Sequence, residues 1–184
     1  MAENNDLLEP RKDPKKRAIG IRKVSAVNEA STRSVMTIRG HTVITDEKKS
    51  DTGPTPLEMT LASLNGCEGV IINRCAQAMG FKYAGVEIEI EIEGEVDQRG
   101  SRGVRGVRPF FNWVKLTIRV KTSKTPERFA KLAKNVEFRC PVMNLFRFAG
   151  VEVTADCQLV DVTKSQNYAF NTLKNGKKDI FSHK

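Results

Sequence analysis

The run Val86-Glu-Ile-Glu-Ile-Glu-Ile-Glu93 alternates apolar and acidic residues without a fault. A period of two commits it to a β-strand with one buried and one charged face. A second alternating stretch, Trp113 to Lys121, carries Lys115, Thr117, Arg119 and Lys121 on its polar side. If the two pair antiparallel, Glu87, Glu89, Glu91 and Glu93 face that basic row. Each contact is worth only a few tenths of a kcal/mol, but jointly they favour one register. The charged row therefore reads as sheet surface rather than as a metal site.

Ahead of these strands, Pro56 to Met79 reads as the longest helix. Thr55 is a natural N-cap, Pro56 occupies the first helical position, and Glu58 completes a Thr-x-x-Glu capping box. Leu57, Leu61, Leu64, Cys67, Ile71, Cys75 and Ala78 recur at three- and four-residue intervals, and Gly80 can close the end. Cys67 should therefore face the interior or an interface. Thr125-Pro126-Glu127 starts a second helix, with Phe129, Leu132, Ala133 and Val136 on its inner face. A third, short helix begins at Pro141 and ends near Gly150, which leaves Cys140 at or beside its N-cap, where the dipole and unpaired N–H groups favour a thiolate. Val151 to Leu159 alternates as a closing strand, with Cys157 on its apolar side. Ala18–Val27, Ser34–Arg39 and Thr42–Thr45 have the β-branched content of strands, and Arg39-Gly40 forms the turn between the last two. The pattern is that of an α+β fold rather than alternating βαβ units.

Between the alternating strands lies Arg99-Gly-Ser-Arg102-Gly-Val-Arg105-Gly-Val-Arg108, followed by Pro109, Phe110 and Phe111. It could hold an anion or stack on single-stranded nucleic acid. The favoured reading is a long mobile hairpin loop whose aromatics pack back on the sheet.

The net charge of +9 resembles a nucleic-acid signal until it is located. Residues 1–23 carry seven basic and four acidic residues and residues 161–184 carry five and two, so the ends supply six of the nine charges. Solvated ends are the favoured reading, and nucleic acid is not expected as a partner. No segment reads as a signal peptide and no apolar run approaches the ~18 residues of a membrane span, so a cytoplasmic protein without membrane insertion is expected. In a reducing compartment, four cysteines serve better as free, metal-bound or catalytic thiols than as a disulfide framework. With no Cys-x-x-Cys pair and only His41 and His183, no metal site is expected.

The ordered set Arg39-Gly40-His41, Asp46-Glu47, Asp51-x-Gly53-Pro-x-Pro-x-Glu58, the helix leading to Gly66-Cys67, and Cys140-Pro141-Val142 resembles the OsmC/Ohr family of hydroperoxide reductases and their OsmC-like relatives. The resemblance spans residues 16–160, between a charged extension at 1–15 and a basic tail at 161–184 that could dock on a partner subunit. It implies antiparallel sheets wrapped around two long helices in an intertwined homodimer, with active sites at the subunit interface. It also implies that Cys67 is the peroxidatic thiol, oxidised to a sulfenic acid by an organic hydroperoxide, and that Cys140 resolves it as a disulfide. An external dithiol of lipoyl or thioredoxin type would reduce that disulfide, and the cycle needs no cofactor.

In the family an arginine held by a glutamate supports the thiolate. The family's glutamate falls on Leu57 here, one position before Glu58, and Glu58 is about 180° around the helix from Cys67. Glu58 is read first as a capping residue. Arg39 is the candidate arginine, with His41 as an alternative donor or, equally, a turn residue. Cys75 and Cys157 are read as core. The alternative function is a non-peroxidatic OsmC-like dimer holding a lipid-like or acyl ligand at its interface.

Overall fold

The computed structural model describes residues 19–28, 30–81 and 88–160, and the backbone of 161 and 167–172. The extension at 1–15, Val86 and Glu87, and most of the tail after Asp161 lie outside the described residues. The chain divides into two compact units, Met1–Ala62 and Ser63–Lys184.

The first unit holds a three-stranded antiparallel sheet of β1 (Ser25–Asn28), β2 (Ser34–Ile38) and β3 (His41–Thr45). Strand β1 is shorter than the expected Ala18–Val27. Ile38 pairs with His41, so Arg39 and Gly40 form a two-residue hairpin turn. Their φ angles, +54° and +98°, are those of a type I′ turn, whose twist matches the flanking strands. Holding a non-glycine residue there costs about 1 kcal/mol. After β3, Asp46 is buried and accepts hydrogen bonds from Thr32 Oγ1 and Thr52 Oγ1, each 2.6 Å, and from the Glu47 amide at 2.8 Å. These bonds hold its carboxyl below the ordinary range and fix the loop that leads to the long helix.

That helix, α1 (Pro56–Ala78), begins in the first unit and continues into the second. Its capping box forms as the sequence specifies. Thr55 N donates to Glu58 Oε2 at 2.7 Å, and Glu58 N donates to Thr55 Oγ1 at 3.3 Å. At the other end Gly80 takes φ +68°, Phe81 N donates to Ala76 O, and Gly80 N donates to Gln77 O. This is a Schellman closure, which favours glycine because the left-handed conformation crowds a Cβ.

In the second unit, β4 (Ile88–Val96), β5 (Phe111–Thr122), β6 (Glu152–Asp161) and β7 (Asn167–Thr172) form a sheet in that order. Strands β4 and β5 pair antiparallel in the register anticipated from the charge rows, Glu89 opposite Arg119 and Glu93 opposite Lys115. Lys115 Nζ lies 3.1 Å from Glu93 and Arg119 Nη1 lies 3.1 Å from Glu91. The pairs are solvent-exposed, so they tune register more than stability. The expectation of antiparallel sheets holds for every pairing but one: β5 and β6 run parallel. The connection between them carries α3 (Pro126–Arg139) and α4 (Pro141–Phe148), and such a helical crossover returns the chain to the same end of the sheet. No strand was anticipated after Asp161, yet β7 pairs antiparallel with β6. The loop from 97 to 110 contains a single helical turn, α2 (Gln98–Ser101), capped by Asp97; Arg108 lies 4.3 Å over the Phe110 ring, and Phe111 is buried.

The core of this unit combines Val114, Leu116, Ile118 and Val120 of β5 with Val153, Ala155, Cys157 and Leu159 of β6. Against them lie Phe129, Leu132, Ala133 and Val136, the face of α3 marked by its period. Cys75 and Cys157 are buried among these residues, as read from their positions. Asn65 Nδ2 donates to Ile90 O at 2.8 Å and anchors α1 to β4.

Candidate functional site

The two cysteines singled out in the sequence meet. Cys140 Sγ lies 3.3 Å from Cys67 Sγ, Cys140 is fully buried and Cys67 half-buried, and none of the four cysteines is in a disulfide. Local chemistry places each. Cys67 sits in the middle of α1, beside the row that α1 buries. Cys140 occupies a corner: it ends α3, donating its amide to Val136 O, and caps α4, its Sγ accepting from Met143 N at 3.4 Å. Pro141 at the first position of α4 fixes that corner, since proline tolerates the start of a helix and not its continuation.

The buried row of α1 is Leu64, Glu68, Ile72, Cys75 and Ala76. It is displaced from the stripe read in the sequence, and its second member is a carboxylic acid. Glu68 is 1% exposed, and its Oε1 has no hydrogen-bond partner among the described residues. Burial pushes its carboxyl up to about 7, opposed by a hydrogen bond with Cys140 and by the charge of Arg147. Glu137 of α3 is also buried and raised by burial, and it pairs with Arg147 of α4. The thiolate expected at Cys140 is therefore not favoured. Burial, then the negative charge and hydrogen bond of Glu68, push this thiol up, and the Met143 N–H offsets only part of that rise.

Glu68, Glu137 and Arg147 carry no motif that marks them in the sequence as parts of a site. A signal for Glu68 was present, because Leu64, Glu68 and Ile72 stand at i, i+4 and i+8 and share a face. Beside Glu68 a small cavity of about 20 Å³ is lined by Ile72, Glu137, Met143 and Cys157 among others.

Arg39, His41 and Glu58 belong to the first unit. Arg39 and His41 stand at the β2–β3 turn, and Glu58 is engaged in the capping box, its carboxyl held below the ordinary range by the Thr55 amide and hydroxyl. Replacing Glu58 with alanine should lower the midpoint of urea unfolding, because the Thr55 amide loses its partner in the capping box. An unchanged midpoint would remove the capping role.

Two reduced thiols at contact distance, one at a helix corner and one on a long central helix, define the kind of site to compare with known proteins. The chain belongs to the OsmC-like protein family, whose model matches residues 47–156. This family includes hydroperoxide-resistance proteins. Among solved structures, the OsmC-like protein from Mycoplasma pneumoniae is 17% identical and superposes with a TM-score of 0.66 over 76% of this chain and 97% of that one. A protein from Aquifex aeolicus is 14% identical, with a TM-score of 0.61 over 78% and 98%. The organic hydroperoxide resistance protein OhrB of Bacillus subtilis is 18% identical, with a TM-score of 0.52 over 76% and 99%. At these identities the likeness is one of fold. No curated protein matches the chain. Among the described residues no helix is long and apolar enough to cross a membrane.

Proposed function

We propose that this protein is a thiol-dependent peroxidase that reduces organic, lipid-like hydroperoxides. The observation that carries the reading is the 3.3 Å separation of Cys67 and Cys140, close enough for a bond to form with a small shift. The Cys67 thiolate attacks the distal oxygen of the hydroperoxide, the O–O bond breaks, and the alkoxide leaves as alcohol on taking a proton. Cys67 becomes a sulfenic acid. Cys140 then attacks that sulfur, water leaves, and the resulting disulfide is returned to two thiols by an external dithiol through exchange. Cys67 serves as the attacking thiol because it is the more accessible of the two.

Arg39, with His41 beside it, is the candidate support for the Cys67 thiolate. The working unit is a homodimer in the reducing cytoplasm, in keeping with the family. The half-exposed Val70, next to Gly66 and Gly69 on α1, supports a surface meant to be covered.

A second reading rests on the same face. A groove of about 550 Å³ between α1 and β4, lined by Asn65, Val70, Asn73, Ile88 and Ile90, could hold a lipid-like or acyl ligand in a non-peroxidatic dimer. Turnover separates the two readings. Reduced protein supplied with cumene hydroperoxide and dihydrolipoamide should release alcohol catalytically. A rate equal to that of the dithiol alone would favour the ligand-binding reading.

A further inference from the structure

We propose that the loop from 97 to 110 and the outer face of α4 form a docking surface for an anionic lipid membrane. The protein lies on it peripherally, with arginines on the lipid phosphates and apolar side chains at the acyl boundary. This binding stands with or without peroxidase activity.

The arginine-glycine run takes no part in the thiol site. Between Gln98 and Phe111 it holds four arginines and no acidic residue. Arg99 is taken up by Asp97, with 2.6 Å between Nη2 and Oδ2. Arg102 and Arg105 are exposed and enter no ion pair among the described residues. The backbone that carries them is closed on itself. Val104 N donates to Arg99 O at 3.1 Å and Val107 N to Val104 O at 3.2 Å. Gly100 is pressed so near the returning chain that a Cβ there would come within 2.6 Å of Arg108 O. The cations are thus presented from a preformed turn, which lowers the ordering cost of binding.

Arg108 ties this loop to α4. Its Nη2 donates to Gly150 O, just past the helix, at 3.3 Å, and its guanidinium stacks on Phe110. Beneath, the rings of Phe111 and Phe146 meet edge to face at 5.6 Å. The polar side chains of α4 turn back toward the protein: Asn144 Nδ2 donates to Phe138 O at 3.0 Å, and Arg147 pairs with Glu137. The outer face is left apolar, with Leu145 68% and Phe148 74% exposed. These two stand at i and i+3 and share one side of the helix.

Charge and apolarity together choose the occupant. Leu and Phe standing out beside clustered arginines are what an interfacial segment needs, since the apolar side chains enter the headgroup–acyl boundary while each guanidinium meets phosphate oxygens in a fork. A nucleic acid would answer the arginines and the rings but leave Leu145 without a partner, because bases stack on aromatic faces. The acidic residues at the margin are Glu95, which accepts from Asn112 Nδ2 at 2.9 Å, and Glu152 at the start of β6; neither belongs to the run or to α4.

The test is co-sedimentation of the full chain with vesicles of phosphatidylcholine alone and of equal parts phosphatidylcholine and phosphatidylglycerol, at low and physiological salt. The unaltered protein should bind the anionic vesicles and not the neutral ones. Changing both Arg102→Gln and Arg105→Gln should weaken that binding about 30-fold, from roughly fivefold for each cation at an anionic surface. Changing both Leu145→Ser and Phe148→Ser should weaken it about tenfold, and the loss should persist when salt screens the arginines. All four positions are exposed, so circular dichroism and the urea midpoint should match the parent. Absence of binding to anionic vesicles, or equal binding to neutral ones, would overturn the proposal. Binding indifferent to the arginine pair would overturn it in favour of the charged ends of the chain. Binding indifferent to the apolar pair would overturn it in favour of a soluble polyanion, for which an oligonucleotide and polyglutamate are the probes. A smaller species for the apolar variant in sedimentation velocity would overturn it in favour of a second copy of the chain on this face.

Discussion

Replacing Cys67 with serine should abolish hydroperoxide reduction, lowering kcat/KM by more than about 10³-fold, because a hydroxyl cannot supply the nucleophile that the first step requires. Replacing Cys140 with serine should act differently. One equivalent of hydroperoxide should still be consumed per subunit, the sulfenic acid should accumulate on Cys67, and turnover should then fall to the rate at which outside thiols reduce it directly. The asymmetry follows from position: Cys67 is the accessible member of the pair and Cys140 the fully buried one. Quenched-flow measurement of alcohol release distinguishes the two variants. A burst in Cys67→Ser and none in Cys140→Ser would reverse the assignment.

Glu68→Gln should stabilise the folded protein at neutral and alkaline pH while making little difference in acid. Glu68 has its carboxyl raised from 4.5 to about 7 by burial, so between those values the folded chain keeps a proton that the unfolded chain has released. Such a group contributes stability that is fully present below about pH 4.5 and is lost as pH rises through about 7. At ~1.4 kcal/mol per pH unit, the loss amounts to about 3 kcal/mol, and the glutamine variant does not suffer it. The Cys140, Arg147 and Glu137 groups around Glu68 remain in both proteins. Asp46, Glu58 and Asp97, whose carboxyls are held low, slope the other way but cancel in the difference between variant and parent. Urea unfolding at several pH values should give curves that coincide near pH 4 and separate by pH 8. Parallel curves would mean that Glu68 is ionised throughout or already relieved by solvent.

The most legible parts of this fold were those written in short-range chemistry. The capping box at Thr55 and Glu58, the Arg39-Gly40 turn, the alternation on either side of the 97–110 loop and the Pro141 helix start each depend on neighbours a few residues apart, and each formed as read. The pairing of β5 with β6 was less visible, because strand direction is set by the path of the connection and not by the strand's own pattern. Strand β7 was hidden for a related reason: Asn167 to Thr172 mixes polar and aromatic residues and takes its structure from the β6 edge. At the site, the two thiols were legible from their settings and from a family resemblance. Glu68 was not, since a glutamate inside a helix ordinarily marks the solvent face, and only the i, i+4 spacing from Leu64 to Ile72 pointed inward. Its raised carboxyl comes from burial, which depends on α3 and α4 packing over it from far along the chain, with Glu137 adding to the rise and Cys140 and Arg147 opposing it.

The most direct measurement is to reduce the protein fully, add one equivalent of cumene hydroperoxide, and map every cysteine by mass spectrometry within the first turnover. A rapidly formed disulfide joining Cys67 to Cys140 is expected, with Cys75 and Cys157 still reduced. Thiols that oxidise no faster than a free thiol in solution, or a disulfide joining any other pair, would contradict it.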